Sequence, residues 1–124
     1  MRAKDGLGIY GENVAVAHLV GAGFTILDRN WRCEIGEIDI VARDGSTLVV
    51  CEVKTRSSTR FGVPLEAVTP RKAARLRRLA ARWLQDQSVR RESVRPDEVR
   101  IDLVGVLRSD RGAAHVDHVR GVTS

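Results

Sequence analysis

Two short alternating segments joined by a polar turn constrain this chain more than any other feature. From Ile35 to Ala42, Ile38 and Ile40 alternate with Glu37, Asp39 and Val41. From Thr47 to Lys54, Leu48, Val50, Glu52 and Lys54 alternate with Val49, Cys51 and Val53. A period of two predicts strands. The intervening Arg43-Asp44-Gly45-Ser46 contains an Asp-Gly pair, a favoured hairpin turn. With Asp44-Gly45 as the turn, Arg43 faces Ser46, Asp39 faces Val50 and Glu37 faces Glu52. Opposed residues share a face, so Glu37, Asp39, Glu52 and Lys54 project from one side of the hairpin. Asp39 and Glu52 are then diagonal neighbours, about 7 Å apart at the backbone.

Around this hairpin the chain reads as one α/β domain over residues 1–124. Gly6, Gly8 and Gly11 lead into a helix over Ile9 to Ala22 that Gly21 and Gly23 end. At helical spacing Glu12, Val16, Leu19 and Val20 fall on one side and His18 on the other. Phe24 to Trp31 is a first strand. Thr69-Pro70 supplies an N-cap and a first-turn proline for a helix to about Gln87. Strands over Val99 to Leu107 and Ala114 to Arg120 complete the order α-β-β-β-α-β-β, which predicts a central mixed β-sheet flanked by helices. The 124 residues suffice for a core without disulfides. The longest apolar runs, Val14 to Ala17 and Leu48 to Cys51, are far below the ~20 residues that span a bilayer. No secretory segment follows Met1, and Cys33 and Cys51 form no C-x-x-C pair. The expectation is a cytoplasmic protein with two reduced thiols and no membrane partner.

Several motif-like strings do not carry function. Gly6-Leu7-Gly8-Ile9-Tyr10-Gly11 spells G-x-G-x-x-G, but a dinucleotide fingerprint needs a preceding strand, and only five residues precede Gly6. In His115-Val116-Asp117-His118, alternation separates His118 from His115 and Asp117, which reads as exposed polar residues on an edge strand. Asp102, between apolar neighbours, reads as a structural hydrogen-bonding or ion-pairing group.

The hairpin acids do carry chemistry. Carboxylates crowded on one face repel unless a cation neutralises them, and all-oxygen donors suit a hard ion such as Mg²⁺ or Mn²⁺. Magnesium takes one or two protein carboxylates and keeps waters, as phosphodiester hydrolysis requires. Lys54, two residues beyond Glu52, projects beside it and can orient a water or offset transition-state charge. Arginine could hardly exchange a proton there, and the chain has 18 arginines but only three lysines, Lys4, Lys54 and Lys72. Glu12, mid-stripe on the first helix, is costly to bury alone. It reads as a fourth acid reaching toward the metal site or as a salt-bridged glutamate, with Arg32 a candidate partner.

The net charge of +5 favours an anionic partner. Arg71, Arg75, Arg78 and Arg82 form one stripe of the second helix, opposite Leu76, Leu79, Ala80 and Trp83, and no acid lies between Pro70 and Leu84. The stripe is a candidate phosphate-contacting surface. Lys72 borders the apolar stripe, from where it can lean toward the active-site side, and Arg56, with Ser57, Ser58, Thr59 and Arg60, lies just past Lys54.

Gly36-Glu37-Ile38-Asp39-Ile40-Val41-Ala42 followed by Glu52-Val53-Lys54-Thr55-Arg56 resembles the D…E-x-K core of the PD-(D/E)XK nuclease superfamily. More narrowly, the chain resembles the UPF0102 (YraN) family, small bacterial proteins similar to archaeal Holliday-junction resolvases. The match includes Gly11-Glu12-x-x-Ala15, Arg29-Asn30-x-Arg32, Ala67-Val68 with Lys72, and Arg100-Ile101-Asp102. This resemblance implies a restriction-endonuclease-like fold. It implies Asp39 and Glu52 as metal ligands, the Val53 carbonyl as a further ligand, Lys54 as the catalytic lysine and Glu12 as an additional acid. The expected activity is a Mg²⁺- or Mn²⁺-dependent endodeoxyribonuclease, selective for branched DNA and acting in repair or recombination, with a homodimer matching the two strands of a junction. The alternatives are a non-catalytic nucleic-acid-binding module on the same fold and an RNA-directed nuclease.

Overall fold

A computed structural model describes residues 5–57, 68–89 and 95–122. Its elements are α1 (Gly6–Gly21), β1 (Thr25–Cys33), β2 (Gly36–Asp44), β3 (Thr47–Arg56), α2 (Pro70–Val89), β4 (Glu98–Leu107) and β5 (His115–Val119). The five strands form one sheet in sequence order. Every neighbouring pair is antiparallel except β3 and β4, which are parallel, so the expected mixed sheet is present. The connection between those parallel strands carries α2, as a crossover requires.

The helices cover opposite faces. Against α2 pack Trp31, Ile38, Val41, Leu48, Val50 and Ile101, meeting Ala73, Leu76, Leu79, Ala80 and Trp83. Against α1 pack Phe24, Ile40, Ala42, Val49, Cys51, Val104 and Val106, meeting Ala15 and Leu19. A sheet buried on both sides explains why Leu48 to Cys51 is continuously apolar. Burial, with help from nearby Asp102, pushes the Cys51 thiol well up, while Arg100 opposes the shift. Cys33 and Cys51 are both free, and no helix among the described residues is long and apolar enough to cross a membrane.

Three expectations for α1 are corrected. Helix α1 begins at Gly6 rather than Ile9, because Asp5 caps it and accepts the Gly8 amide hydrogen at 2.7 Å. Its buried side is Gly11, Glu12, Ala15 and Leu19, while Val20 faces outward at 55% exposure. Gly11 sets that orientation: a Cβ there would lie 1.8 Å from the Thr55 hydroxyl oxygen, so only glycine lets α1 approach β3 this closely. His18 does not point away from the fold; its Nε2 meets His118 Nδ1 of β5 at 3.1 Å.

The hairpin turn is Gly45-Ser46, not Asp44-Gly45, so Asp44 pairs with Thr47 and Arg43 with Leu48. Gly45 has φ +62°, the positive value that a type II′ turn requires at its first central residue. The register thereby moves by two residues. Two is the pleat period, so Asp39, Glu52 and Lys54 keep the common side expected of them, whereas Ile38 joins Val41 on the α2 face and Ile40 lies on the α1 face, although strict alternation would place the two isoleucines together.

The starts of β3 and α2 and the end of β4 are as expected, and the remaining limits differ by one or two residues. Thr69 does cap α2: its hydroxyl accepts from the Lys72 amide at 3.1 Å, and its carbonyl from the Ala73 amide at 2.9 Å.

Candidate active site at a fork in the sheet

The ladder between β2 and β3 ends at Ile40 and Cys51, while β2 remains paired with β1 as far as Gly36 and Cys33. On its other side β3 remains paired with β4 through Arg56 and Leu107. The sheet therefore forks, with Asp39 on one prong and Glu52, Val53 and Lys54 on the other. Across the fork, Asp39 Oδ2 accepts the Val53 amide hydrogen at 2.8 Å. A carboxylate replaces the next ladder acceptor, fixing the Asp39 side chain against the backbone of β3.

A cleft of about 610 Å³ opens at this fork. Its floor is Gly36, Glu37, Asp39, Glu52, Val53 and Lys54; Asp5 and Gly8 border it from the start of α1, and Lys72, Arg75 and Leu76 from the start of α2. The acids and lysine expected to share one face thus line one cavity. Glu37 is tied to β1, its Oε2 accepting from Arg32 NH2 at 3.1 Å. Lys72 does more than lean toward the acids: its ammonium contacts Glu52 Oε2, and both side chains are largely sheltered.

Glu12 is 2% exposed and is not among the residues lining the cleft. Its Oε1 accepts from Arg29 Nε at 3.0 Å, Arg29 NH2 at 2.9 Å and Asn30 Nδ2 at 2.8 Å. The salt-bridged arrangement is realised, with Arg29 and Asn30 in place of Arg32. Asn30 adopts φ +53°, a left-handed conformation that asparagine tolerates, and this bend in β1 accompanies the turn of its amide toward α1. No apolar spacing signals these partners, because the contact depends on a local reversal of strand geometry.

The arginine stripe is divided. Arg71, Arg75 and Arg78 are exposed, and among the described residues no carboxylate lies within ion-pairing distance of them. Arg82 is engaged by Glu34 from the β1–β2 turn, at 2.7 and 3.1 Å. Glu34 thus holds Arg82 from outside α2, and Asp86, four residues further along the helix, adds a weaker attraction. Arg56 NH1 donates to the Thr55 carbonyl at 3.0 Å, and Ser58, Thr59 and Arg60 lie outside the described residues.

Asp102 is structural, as expected. Fully buried, it receives Arg100 Nε at 2.8 Å and NH2 at 3.0 Å, the Gly121 amide at 3.0 Å, and pairs with His118 Nε2 at 2.8 Å. Burial alone would raise its pKa, but the bonds from His118, Arg100 and Gly121 bring it below the ordinary value. His115 and Asp117 pair with each other on the exposed side of β5.

Among the described residues, no three His, Cys, Asp or Glu side chains converge as a metal-binding group. Of the four carboxylates lining the cleft, Asp39 and Glu52 flank the backbone of Val53 in the fork. That donor set fits a hard cation such as Mg²⁺, which needs only one or two carboxylates and fills its remaining positions with water or substrate oxygens.

The family model described as "Uncharacterised protein family UPF0102" matches residues 11–106. A UPF0102 protein of a Nocardioides species is 63% identical over 119 residues, covering 96% of this chain and 92% of the relative. One from Kineococcus radiotolerans is 58% identical over 123 residues, covering 99% and 98%. One from Beutenbergia cavernae is 59% identical over 122 residues, covering 98% and 99%.

Proposed function

The chain belongs to the UPF0102 family, and we propose that it is a metal-dependent endodeoxyribonuclease that hydrolyses phosphodiester bonds, selective for branched DNA, in repair or recombination. The observation that carries this reading is the convergence of Asp39, Glu52 and Lys54 in one cleft at the fork between β2 and β3. Asp39 and Glu52, with the Val53 carbonyl, would hold Mg²⁺ or Mn²⁺. When bound, the ion supplies Lewis acidity, polarising a phosphoryl oxygen and acidifying water.

The residues of the chain supply the rest. The Val53 amide keeps Asp39 turned into the cleft. Lys54 orients the attacking water and offsets the negative charge that grows on the phosphate oxygens as the water oxygen adds and the sugar oxygen leaves. Arg75, which lines the cleft, with Arg71 about one turn before it and Arg78 about one turn after it, meets backbone phosphates on either side of the scissile bond. Two copies would present two such clefts to the symmetric strands of a four-way junction, which makes a homodimer the matching assembly.

A second reading, a nucleic-acid-binding module that does not cut, draws on the Lys72–Glu52 ion pair, which engages one of the two carboxylates. Incubation of purified protein with labelled single-stranded, duplex, flap and junction DNA, and with RNA, separates the readings when Mg²⁺, Mn²⁺ and EDTA are compared. Cleavage that requires the metal and is lost in Glu52→Gln supports the nuclease. Binding without cleavage under every metal supports the module.

A further inference from the structure

Lysine is scarce in this chain, yet two of its three lysines line the cleft. Lys54 has the role given above. Lys72 is in the first turn of α2, where the helix dipole disfavours a cation and a carboxylate is the usual occupant. No acid of that turn compensates. What holds the ammonium there is Glu52, on the opposite side of the cleft, with only 12% of that carboxylate side chain exposed. The cost of burying Glu52 is met by a charge carried on the other wall.

We propose that Lys72 is an exchangeable counter-ion: it neutralises Glu52 in the metal-free protein, leaves it when a divalent cation binds, and then pairs with a phosphate of the nucleic acid. The proposal rests on the reading of Asp39 and Glu52 as metal ligands and extends it to regulation of the same site. Its physical basis is competition for one carboxylate. An ammonium on a four-carbon stem can swing away from Glu52 without displacing α2, whose first turn is held independently by the Thr69 cap. Metal affinity is thereby weakened in the absence of substrate. A phosphate arriving at the cleft gives the released ammonium a new partner, so metal and nucleic acid favour each other's binding.

The experiment measures Mn²⁺ affinity of the full chain by titration calorimetry and by the paramagnetic resonance of free Mn²⁺. The proteins are the wild type, Lys72→Met and Arg75→Met. Methionine preserves the length of the stem and removes the charge. Lys72→Met is expected to tighten Mn²⁺ binding by about tenfold, and Arg75→Met, which removes a cleft charge that does not engage Glu52, by much less. In a second readout, binding of a short DNA duplex is followed against salt in Ca²⁺ and in EDTA. The salt slope of the wild type is expected to steepen in Ca²⁺ by roughly the value of one phosphate, and that of Lys72→Met to stay unchanged. Equal Mn²⁺ affinities in wild type and Lys72→Met, or equal tightening in the two variants, overturn the exchange while leaving the metal site intact. Absence of Mn²⁺ binding in all three proteins overturns the exchange and the metal reading together.

Discussion

Asp39 and Val53 are joined where their strands part: the carboxylate of one accepts the amide hydrogen of the other at 2.8 Å, just beyond the last ladder pair. One acid therefore both closes the backbone of the fork and lines the cleft. Asp39→Asn retains an acceptor for that amide and is expected to keep the fold while abolishing cleavage. Asp39→Ala leaves the amide without its acceptor and is expected to cost about 1–2 kcal/mol of stability besides activity. Urea denaturation of both variants beside a cleavage assay checks the separation.

Lys54→Ala is expected to lower the cleavage rate by about 10²-fold or more with little change in thermal midpoint, as expected for a group that acts on developing charge. Retained Mn²⁺ binding in this variant would locate the loss in the chemical step.

The stripe on α2 is expected to divide as its partners do. Charge reversal at Arg75 or Arg78 should weaken DNA binding and reduce the salt slope by about one for each phosphate no longer neutralised. Reversal at Arg82, which Glu34 already holds, should alter the slope less and instead break the tie between α2 and the β1–β2 turn. Fluorescence anisotropy across a salt series distinguishes the three.

Gly11→Ala is expected to destabilise the protein by roughly 1–3 kcal/mol, because the added methyl meets the Thr55 side chain and α1 must lift from β3. Thermal denaturation measures the loss. Cleavage should fall as well, since the start of α1 borders the cleft.

Acidification is expected to destabilise the protein in two steps. The pKa of His18 lies below its ordinary 6.5 through burial, His118 and Arg120, so the unfolded chain takes up that proton more readily. Its contribution is complete above pH 6.5 and is lost as the pH falls toward the lowered value. Asp102, lowered from 3.8, contributes above that pH and loses its contribution as the pH falls through its folded-state value. Urea midpoints across the acid range should show both steps, and His18→Gln should remove the first alone.

Much of the fold and most of the candidate site were legible because they depend on period and parity. Alternation located β2, β3 and β4, and a register error of two residues left Asp39, Glu52 and Lys54 on their common face. Thr69-Pro70 marked the start of α2 through local backbone chemistry. Illegible were features decided by contacts between distant residues. Arg29 and Asn30 reach Glu12 through a positive φ in β1, Glu34 reaches Arg82 across a turn, and Lys72 finds Glu52 across the cleft. The early start of α1 was hidden differently, since three glycines argue against a helix unless the Asp5 cap and the close approach at Thr55 are weighed with them.

Strand β3 stays paired with β4 from Thr47 to Arg56, even where β2 has turned away. Glu52 and Lys54 consequently sit on a strand that is restrained along one edge and open along the other. Their amides should be among the slowest in the chain to exchange with solvent deuterium, because freeing them requires separating β3 from its parallel neighbour. Any rearrangement at the cleft then falls to the flanking helices, leaving Glu52 and Lys54 at a constant spacing.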